Sequence, residues 1–258
     1  MKIAEKFGDN LRPLRFLTEV NWKTQRTSNR CKFDIHTLLP DVLSQASLLS
    51  KDDRRAVENY FNDRRDNGNK DDYKLKNSFK YVVPIFLAIY KPNVIAVTID
   101  TLDMLLRFIQ PTNIATVQID EASQVPMIKF LRCVVSLPYA SFGLVGDIRH
   151  LPPFSNDLLE GPITELAFKS AMEHAVLKLL CPQATFRIVY RTHPSITNVL
   201  SKAFYKNDLI PGVEKSARSS FMSNTAFWRN KNCPFFLVNN KGKINFADRR
   251  ESTRTNCL

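Results

Sequence analysis

Residues 117–124 read VQIDEASQ, and this stretch decides which fold the chain can adopt. The apolar run from Ala115 to Ile119 predicts a short buried strand that ends directly at Asp120 and Glu121. Two adjacent carboxylates at the carboxyl end of a strand suit a nucleotide-hydrolysing site. One can hold Mg²⁺ through its water shell while the other orients or deprotonates the attacking water. Taken alone, an Asp-Glu pair is more often the acidic start of a helix, so the motif needs support from its surroundings.

The surrounding sequence alternates short apolar strands with helices from residue 94 onward. This alternation predicts an α/β fold with a parallel sheet, in which functional side chains gather at the carboxyl ends of the strands. The further predicted strands are Val94–Thr98, Phe142–Val145 and Thr185–Tyr190, and the predicted helices are Leu102–Ile109, Pro126–Leu137 and Pro194–Tyr205.

Before residue 92 the pattern is helical rather than alternating. Ser50 followed by Asp53 has the spacing of a helix cap, and the apolar positions after it predict a helix through Arg65. A second helix is predicted over residues 74–90, although Pro84 lies inside it and removes a backbone donor.

Two further motifs place polar residues beside strand ends. Residues 144–153 read LVGDIRHLPP, in which a strand ending in Gly-Asp enters a loop stiffened by two prolines. Residues 190–194 read YRTHP at the start of a helix, and an arginine in this position can clamp a γ-phosphate from a second domain. Each motif has a plainer alternative when judged alone: an ordinary turn for the first, and an arginine paired with a neighbouring carboxylate for the second.

In this order, the three motifs resemble those of superfamily 1 helicases of the senataxin-like kind, which includes the helicases of nonsense-mediated RNA decay. In that family a DEA(S/T)Q box is followed by VGDxxQLPP and then by a YR(M/T)HPxI segment. This chain reads IDEASQ, VGDIRHLPP and YRTHPSITNVLSKAFYKNDL. The stretch VIAVTIDTL, which precedes the first box, is similar to the family's strand-plus-threonine element that touches nucleic acid. The resemblance covers residues 90–212, about half of the chain.

The resemblance implies an α/β fold with an incomplete RecA-like P-loop NTPase parallel sheet and the start of a second RecA-like domain. We therefore expect a mostly helical N-terminal region over residues 1–92. A partial first RecA-like domain with the DEASQ and GDIRHLPP motifs would follow over residues 93–180, and the truncated start of a second one, with the YRTHP motif, over residues 181–258. In the family, two such domains close on ATP at their cleft and move along single-stranded RNA or DNA.

By the same resemblance, Asp120 would hold Mg²⁺ through water, Glu121 would be the hydrolytic base and Arg191 would contact the γ-phosphate. The positions that match the family's nucleotide-binding motifs are Asp120, Gly146, Asp147, His150 and Arg191. The positions that match its nucleic-acid-binding motifs are Thr98, Pro152 and Pro153. The resemblance therefore implies ATP and Mg²⁺ as cofactors and single-stranded RNA or DNA as a partner.

The chain departs from the family in its phosphate-binding loop. The pattern GxxxxGK(S/T) is absent from the 258 residues, and the one Gly-Lys pair, Gly242-Lys243, is followed by Ile244. His150 replaces the family's glutamine in the coupling loop, and the sequence ends at Leu258, before the later motifs of the second domain. Two hypotheses remain. The chain belongs to an ATP-dependent helicase and is inactive alone, or it is a catalytically silent helicase-derived module that binds nucleic acid or a protein.

The charge distribution suits a polyanionic partner. The chain carries 37 Lys and Arg against 25 Asp and Glu, a formal net charge of +12. Residues 1–80 contain 17 basic and 12 acidic side chains, residues 81–160 contain 5 and 7, and residues 161–258 contain 15 and 6. A slightly acidic middle between basic flanks favours phosphate binding, although a solvated basic surface is the plainer alternative.

No stretch reads as a targeting signal or a membrane span, because the longest strongly apolar run, residues 81–90, is half the ~20 residues that a span needs. The 5 cysteines are widely spaced and form no CxxC, which predicts neither disulfides nor a zinc site. We expect an intracellular protein of the nucleus or cytoplasm, without membrane contact and with a protein partner as a further option.

Overall fold

The computed structural model describes residues 10–44, 50–66, 72–154, 161–162, 167–224, 234–235, 244–246 and 254–256. The chain divides into two compact units, Met1–Lys178 and Leu179–Leu258. The three regions expected from the sequence, with limits at residues 92 and 180, stay a prediction.

The first unit combines short strands with helices. Its strands are β1 (Pro13–Arg15), β2 (Val94–Ala96), β3 (Thr116–Ile119) and β4 (Ser141–Leu144). Its helices are α1 (Glu19–Thr24), α2 (Ile35–Ser44), α3 (Lys51–Asp66), α4 (Asp72–Tyr90), α5 (Ile99–Leu105), α6 (Met127–Ser136) and α7 (Ala171–Leu177). β1 pairs with β2 and β3 pairs with β4, both in parallel, which agrees with the predicted α/β class. The finer expectation of a RecA-like P-loop sheet stays a prediction.

The helical part of this unit packs around an apolar core. Its buried side chains include Leu14, Ile35, Leu39, Tyr60, Val82 and Phe86. Helix α3 begins as predicted, because the Ser50 hydroxyl accepts a hydrogen bond from the Asp53 amide at 3.1 Å and donates one to the Asp53 carboxylate at 2.8 Å. Helix α4 continues through Pro84. This proline is exposed, and burial of its neighbours Val83 and Phe86 offsets the cost of the missing backbone donor.

A buried carboxylate ties β1 to the loop that precedes α2. Asp34 is fully buried and forms an ion pair with Arg15, whose Nη2 donates to Asp34 Oδ2 and to the Asn29 carbonyl, each at 2.8 Å. The Cys31 amide donates to the same oxygen of Asp34 at 2.9 Å. The hydrogen bond to Asp34 raises the pKa of Arg15. This network fixes the path of the chain ahead of α2.

The junction between β2 and α5 differs from the predicted one. The sequence pattern placed the strand end at Thr98 and the helix start at Leu102, but the strand ends at Ala96 and the helix begins at Ile99. The Thr98 carbonyl accepts hydrogen bonds from the amides of Thr101 and Leu102 at 2.9 and 3.0 Å. Thr98 is therefore the N-cap residue of α5 rather than the last residue of a strand.

A second, smaller core lies between α5 and α6. Its buried side chains are Leu102, Cys133 and Leu137. Two ion pairs also join these helices: Lys129 Nζ lies 2.8 Å from Asp100 Oδ1, and Arg132 pairs with Asp103. These contacts hold α6, which follows the DEASQ segment, against α5.

The second unit contains a parallel strand pair joined by a helix. Its described elements are β5 (Ile188–Val189), α8 (Pro194–Phe204), β6 (Ile210–Pro211), α9 (Ser220–Asn224), β7 (Ile244–Phe246) and β8 (Arg254–Asn256). β5 pairs with β6 in parallel, so that α8 forms the crossover between them, while β7 and β8 are antiparallel. The Ser201 hydroxyl fastens α8 to β6, because it donates to the Leu209 carbonyl at 3.2 Å and accepts from the Leu209 amide at 3.0 Å.

The described helices include none that is both long and apolar enough to cross a bilayer. Cys31, Cys133 and Cys181 are free thiols. Burial raises the pKa of the Cys133 thiol and so favours its neutral form, whereas Cys181 is exposed.

Candidate functional site

The pairing of β3 with β4 brings two of the predicted motifs to one edge of the strand pair. Ile119 lies opposite Leu144, and the Val145 amide donates to the Ile119 carbonyl at 2.9 Å. The bonding continues past both strands, because the Ala122 amide donates to the Val145 carbonyl at 2.9 Å. The DEASQ and GDIRHLPP segments therefore leave the strands side by side, at the carboxyl ends where parallel sheets place functional groups.

Gly146 lies directly against the backbone that carries the acidic pair. A Cβ atom at this position would stand 2.9 Å from the Ala122 nitrogen, 3.1 Å from the Ser123 nitrogen and 3.1 Å from Met172 Sδ. Two of these neighbours are backbone atoms, which cannot yield unless the whole turn moves. Only glycine allows the two segments to approach so closely.

Asp120 and Glu121 are both exposed at this edge. Asp120 Oδ1 accepts a hydrogen bond from the Glu121 amide at 2.9 Å. Glu121 has left-handed backbone angles, φ 50° and ψ 38°, which are uncommon for a residue with a Cβ and cost conformational energy. Gln124 Nε2 lies 3.5 Å from Glu121 Oε2, so a side-chain amide stands beside the second acid. The turn thus presents two carboxylates to solvent on a constrained backbone.

The acidic pair fits a magnesium ion that keeps most of its water. Mg²⁺ is usually held by one or two carboxylates, with waters and substrate phosphates completing its shell. Among the described residues, no donor bonds to the second carboxylate oxygen of Asp120, which leaves that oxygen available to a metal-bound water. The same residues contain no group of three His, Cys, Asp or Glu side chains that could enclose a metal ion. The acidic pair is therefore compatible with an ion held through water, and the ion itself stays a prediction.

The loop after β4 is shaped by Asp147. Its Oδ1 accepts a hydrogen bond from the Arg149 amide at 2.9 Å, and its carbonyl accepts one from the His150 amide at 3.0 Å. The His150 ring also turns back toward Asp147, with Nε2 at 3.8 Å from Oδ2. Pro153 is buried and Pro152 is exposed. Asp147, the residue after Gly146, therefore holds the start of this loop in a tight turn.

Thr98, the predicted nucleic-acid contact, is exposed at the start of α5. Its Oγ1 lies 2.8 Å from the Oγ1 of buried Thr101 and does not bond to a backbone amide of the helix. The hydrogen bond to the buried Thr101 hydroxyl fixes the orientation of the exposed Thr98 side chain. An oriented surface hydroxyl of this kind suits contact with a phosphate or sugar oxygen.

Arg191 belongs to the second unit, in the link between β5 and α8. Two local bonds shape this link: His193 Nδ1 accepts from the Ser195 amide at 3.2 Å, and the hydroxyls of Thr192 and Thr197 lie 2.7 Å apart. Arg191 is exposed and has no hydrogen bond or ion pair within the described residues. The alternative of an arginine paired with a neighbouring carboxylate is therefore not seen in this part of the chain. Its contact with a γ-phosphate stays a prediction, as do the roles of the other candidate residues.

Two features of this site were not expected from the sequence. Ser123 is buried, and its hydroxyl has no hydrogen-bond partner among the described residues. The segment that enters α7 braces the same region, because the Met127 amide donates to the Lys169 carbonyl at 2.9 Å and the Ala171 amide donates to the Val125 carbonyl at 3.3 Å. Ser123 lies inside the IDEASQ motif, so its position next to the acidic pair is visible in the sequence. The brace joins segments distant along the chain and has no local sequence signal.

Comparison with known proteins supports the helicase resemblance. A stretch of 162 residues, 62% of the chain, is 41% identical to an uncharacterized ATP-dependent helicase of Caenorhabditis elegans. The chain corresponds to 10% of the length of that relative, so the activity of a whole helicase is a matter for proposal. No established protein-family profile matches the chain.

The close approach at Gly146 predicts a selective glycine requirement. Gly146→Ala should lower the free energy of unfolding by about 1–3 kcal/mol, because the new methyl group overpacks backbone atoms of the acidic turn. Gly143→Ala is the matched control: it lies in β4 with nothing within 4 Å of the added carbon, and alanine there should be neutral or stabilising by about 0.5–1 kcal/mol. Urea denaturation of both variants measures the difference, and equal losses would contradict the packing described above.

The buried hydroxyl of Ser123 predicts an unusual gain from a truncation. Ser123→Ala should leave stability unchanged or raise it by up to about 1 kcal/mol, because it removes a buried polar group that no hydrogen bond compensates. Ser170→Ala provides the contrast: this serine is also buried, but it caps α7 by accepting a hydrogen bond from the Glu173 amide at 3.2 Å, and its loss should cost about 1 kcal/mol. Thermal unfolding compares the two, and a clear loss of stability in Ser123→Ala would show that its hydroxyl is satisfied in solution.

Proposed function

We propose that this chain is a segment of an ATP-dependent helicase of superfamily 1, of the senataxin-like, RNA-surveillance kind. In this proposal it comprises part of a first RecA-like domain and the start of a second. The observation that carries the proposal is the packing of Gly146 against the turn that bears Asp120 and Glu121, because it joins two motifs of the resemblance in one rigid edge. The order of the three motifs and the similarity to a helicase support the same assignment.

Each residue of the acidic turn has a distinct part in this proposal. When bound, Mg²⁺ supplies positive charge that neutralises the phosphates of ATP. Asp120 would hold the ion through a water of its shell, and Glu121 would accept the proton of the attacking water. Gln124, 3.5 Å from Glu121, positions that carboxylate. The left-handed backbone of Glu121 fits such a role, since strained residues persist where the surrounding structure holds them in place.

Arg191 is the candidate cation of the second unit. Arg191 is exposed and has no carboxylate partner among the described residues, so its charge is available to an incoming anion. We assign to it the contact with the γ-phosphate, where a guanidinium stabilises the charge of the transition state. The coupling loop with Asp147 and His150 would sense the same phosphate.

Single-stranded nucleic acid is the proposed partner. Thr98, Pro152 and Pro153 would contact its backbone, and an excess of basic over acidic side chains in residues 1–80 and 161–258 would draw phosphates to the protein. Such a protein would work in the nucleus or the cytoplasm.

One observation favours a second candidate. The 258 residues contain no GxxxxGK(S/T), the loop whose amides and lysine grip the β- and γ-phosphates. A chain with the acidic turn but without this loop could act as a catalytically silent module that binds nucleic acid or a protein. An assay for hydrolysis separates the two candidates.

We expect the chain alone to release no phosphate from Mg-ATP above a protein-free background, with or without single-stranded RNA. An arginine finger is worth about 10³–10⁵ in rate, but it cannot act on a phosphate that nothing holds. Glu121→Gln is the control, because it removes one negative charge at nearly constant shape. RNA-stimulated hydrolysis that disappears in Glu121→Gln would overturn this expectation and establish the chain as an enzyme in its own right.

The proposed nucleic-acid contact at Thr98 has its own test. Thr98→Glu should weaken binding of a fluorescent single-stranded oligonucleotide about tenfold, because it places a negative charge beside a phosphate. Thr112→Glu is the matched control, since Thr112 is equally exposed but lies outside the proposed contact. Fluorescence anisotropy measures both affinities, and equal values for the two variants would remove Thr98 from the nucleic-acid interface.

A further inference from the structure

A strongly basic segment lies outside the helicase-like motifs. Residues 22–33, here called the basic loop, comprise the end of α1 and the loop that follows it. They read WKTQRTSNRCKF and contain no acidic side chain. The four cations of the basic loop are all exposed; they are Lys23, Arg26, Arg30 and Lys32. The carboxylate that follows, Asp34, is fully buried and already paired with Arg15. Residues 22–33 therefore contribute positive charge and no negative charge to this surface.

Two guanidinium groups converge on one aromatic ring of the basic loop. The Cζ atoms of Arg30 and Arg64 lie 4.2 and 4.9 Å from the centre of the Trp22 ring. Neither arginine has a carboxylate partner within the described residues; Arg64 Nη1 donates to the His36 carbonyl at 3.3 Å. The negative face of an aromatic ring attracts each cation electrostatically. This attraction holds two like charges close together and leaves both available to an external anion.

Hydrogen bonds with Arg15 and Asp34, outside the segment, hold the basic loop in place. Arg15 Nη2 donates to the Asn29 carbonyl at 2.8 Å and to Gln25 Oε1 at 3.2 Å, and the Cys31 amide donates to Asp34. On its inner side, the Trp22 ring lies 5.2 Å from the ring of buried His36. Because the segment is already ordered, it loses little conformational entropy when a ligand binds, and this smaller cost favours a higher affinity.

We propose that the basic loop and Arg64 form a second contact for the sugar-phosphate backbone of single-stranded nucleic acid, on elements separate from Thr98 and the motif residues. This inference rests on the nucleic-acid partner of the proposed function. Guanidinium groups bind phosphates through paired hydrogen bonds and stack on bases, and two of them lie here on a half-buried indole. Recognition through phosphates carries no sequence preference.

The test measures the salt dependence of oligonucleotide binding by the full chain. Binding of a fluorescent uridine oligomer is followed by anisotropy from low to moderate salt. The double variant Arg30→Gln/Lys32→Gln should reduce the slope of log affinity against log salt by about 1.4, because each lost phosphate contact on a single strand removes about 0.7. The matched control Lys80→Gln/Arg107→Gln changes the net charge equally at two exposed sites of the same unit and should keep the wild-type slope.

The outcomes separate this inference from the proposed function. If the slope falls equally in both double variants, or if it falls in neither, the basic loop is not a phosphate contact. If Thr98→Glu still weakens binding in that case, the proposed nucleic-acid partner stands without it. Failure of the wild-type chain to bind the oligomer at low salt overturns both. If the wild-type chain binds phosphatidylserine vesicles as tightly as the oligomer, and Arg30→Gln/Lys32→Gln abolishes that binding, the basic loop contacts a membrane surface instead.

A fluorescence signal provides a second measurement that does not depend on the charge variants. The chain contains 2 tryptophans, Trp22 and Trp228, so a Trp228→Phe background reports on Trp22 alone. Addition of the uridine oligomer should change the emission of Trp22 over the same concentration range as the anisotropy, because the arginines on its ring move or pair with phosphates. Unchanged emission at saturation would place the bound strand elsewhere and refute the inference.

Discussion

The site depends on one backbone contact, the approach of Gly146 to the turn formed by residues 120–123. The strand pair β3–β4 supplies the alignment, and the bond from the Ala122 amide to the Val145 carbonyl extends it beyond the last strand residues. Because a Cβ at position 146 would collide with backbone nitrogens, the two motif segments behave as one body. Any movement of the loop after β4 must therefore displace the acidic turn. In the proposed helicase, this contact would link the acidic pair mechanically to the loop that contains Asp147 and His150.

The same contact explains an otherwise costly conformation. Glu121 adopts left-handed backbone angles that a residue with a Cβ rarely takes. The turn tolerates them because its neighbours are fixed on both sides, by Val145 and Gly146 on one and by the segment that enters α7 on the other. Burial of the Ser123 hydroxyl without a hydrogen bond adds a second local cost in the same turn. Two unfavourable features in four residues indicate a turn that is stabilised by its surroundings.

How far the sequence predicts this structure depends on the range of the interaction involved. The α/β class and the start of α3 follow from local patterns, because strand periodicity and the Ser50 cap act within a few residues. The strand end predicted at Thr98 was wrong by two residues and the helix start predicted at Leu102 by three, since cap formation at Thr98 outweighed the apolar pattern that favoured a longer strand. Pro84 inside α4 was a weak point that burial of its neighbours overcame.

The motifs single out the acidic pair and Arg191, whose roles stay a prediction, but several contacts of the structure have no counterpart in the sequence patterns. Met172 against residue 146, the brace from Lys169 and the two arginines on Trp22 all join segments far apart in the chain. Local residue patterns contain no information about such pairs. Sequence motifs therefore identify candidate site residues more readily than the contacts that hold such residues in place.

Electrostatics gives a reason why nucleic-acid contacts should lie outside the acidic turn. Residues 81–160 carry 7 acidic and 5 basic side chains, so the segment with the acidic pair has a slight excess of the charge that a phosphate backbone also carries. A strand drawn toward Asp120 and Glu121 would meet repulsion, and its phosphates would compete with those of a nucleotide for the same cations. Placing the cations on other elements, as in the basic loop of residues 22–33, lets one protein hold two polyanions at once. The charge pattern along the chain is therefore compatible with the two phosphate-bearing ligands of the proposed function.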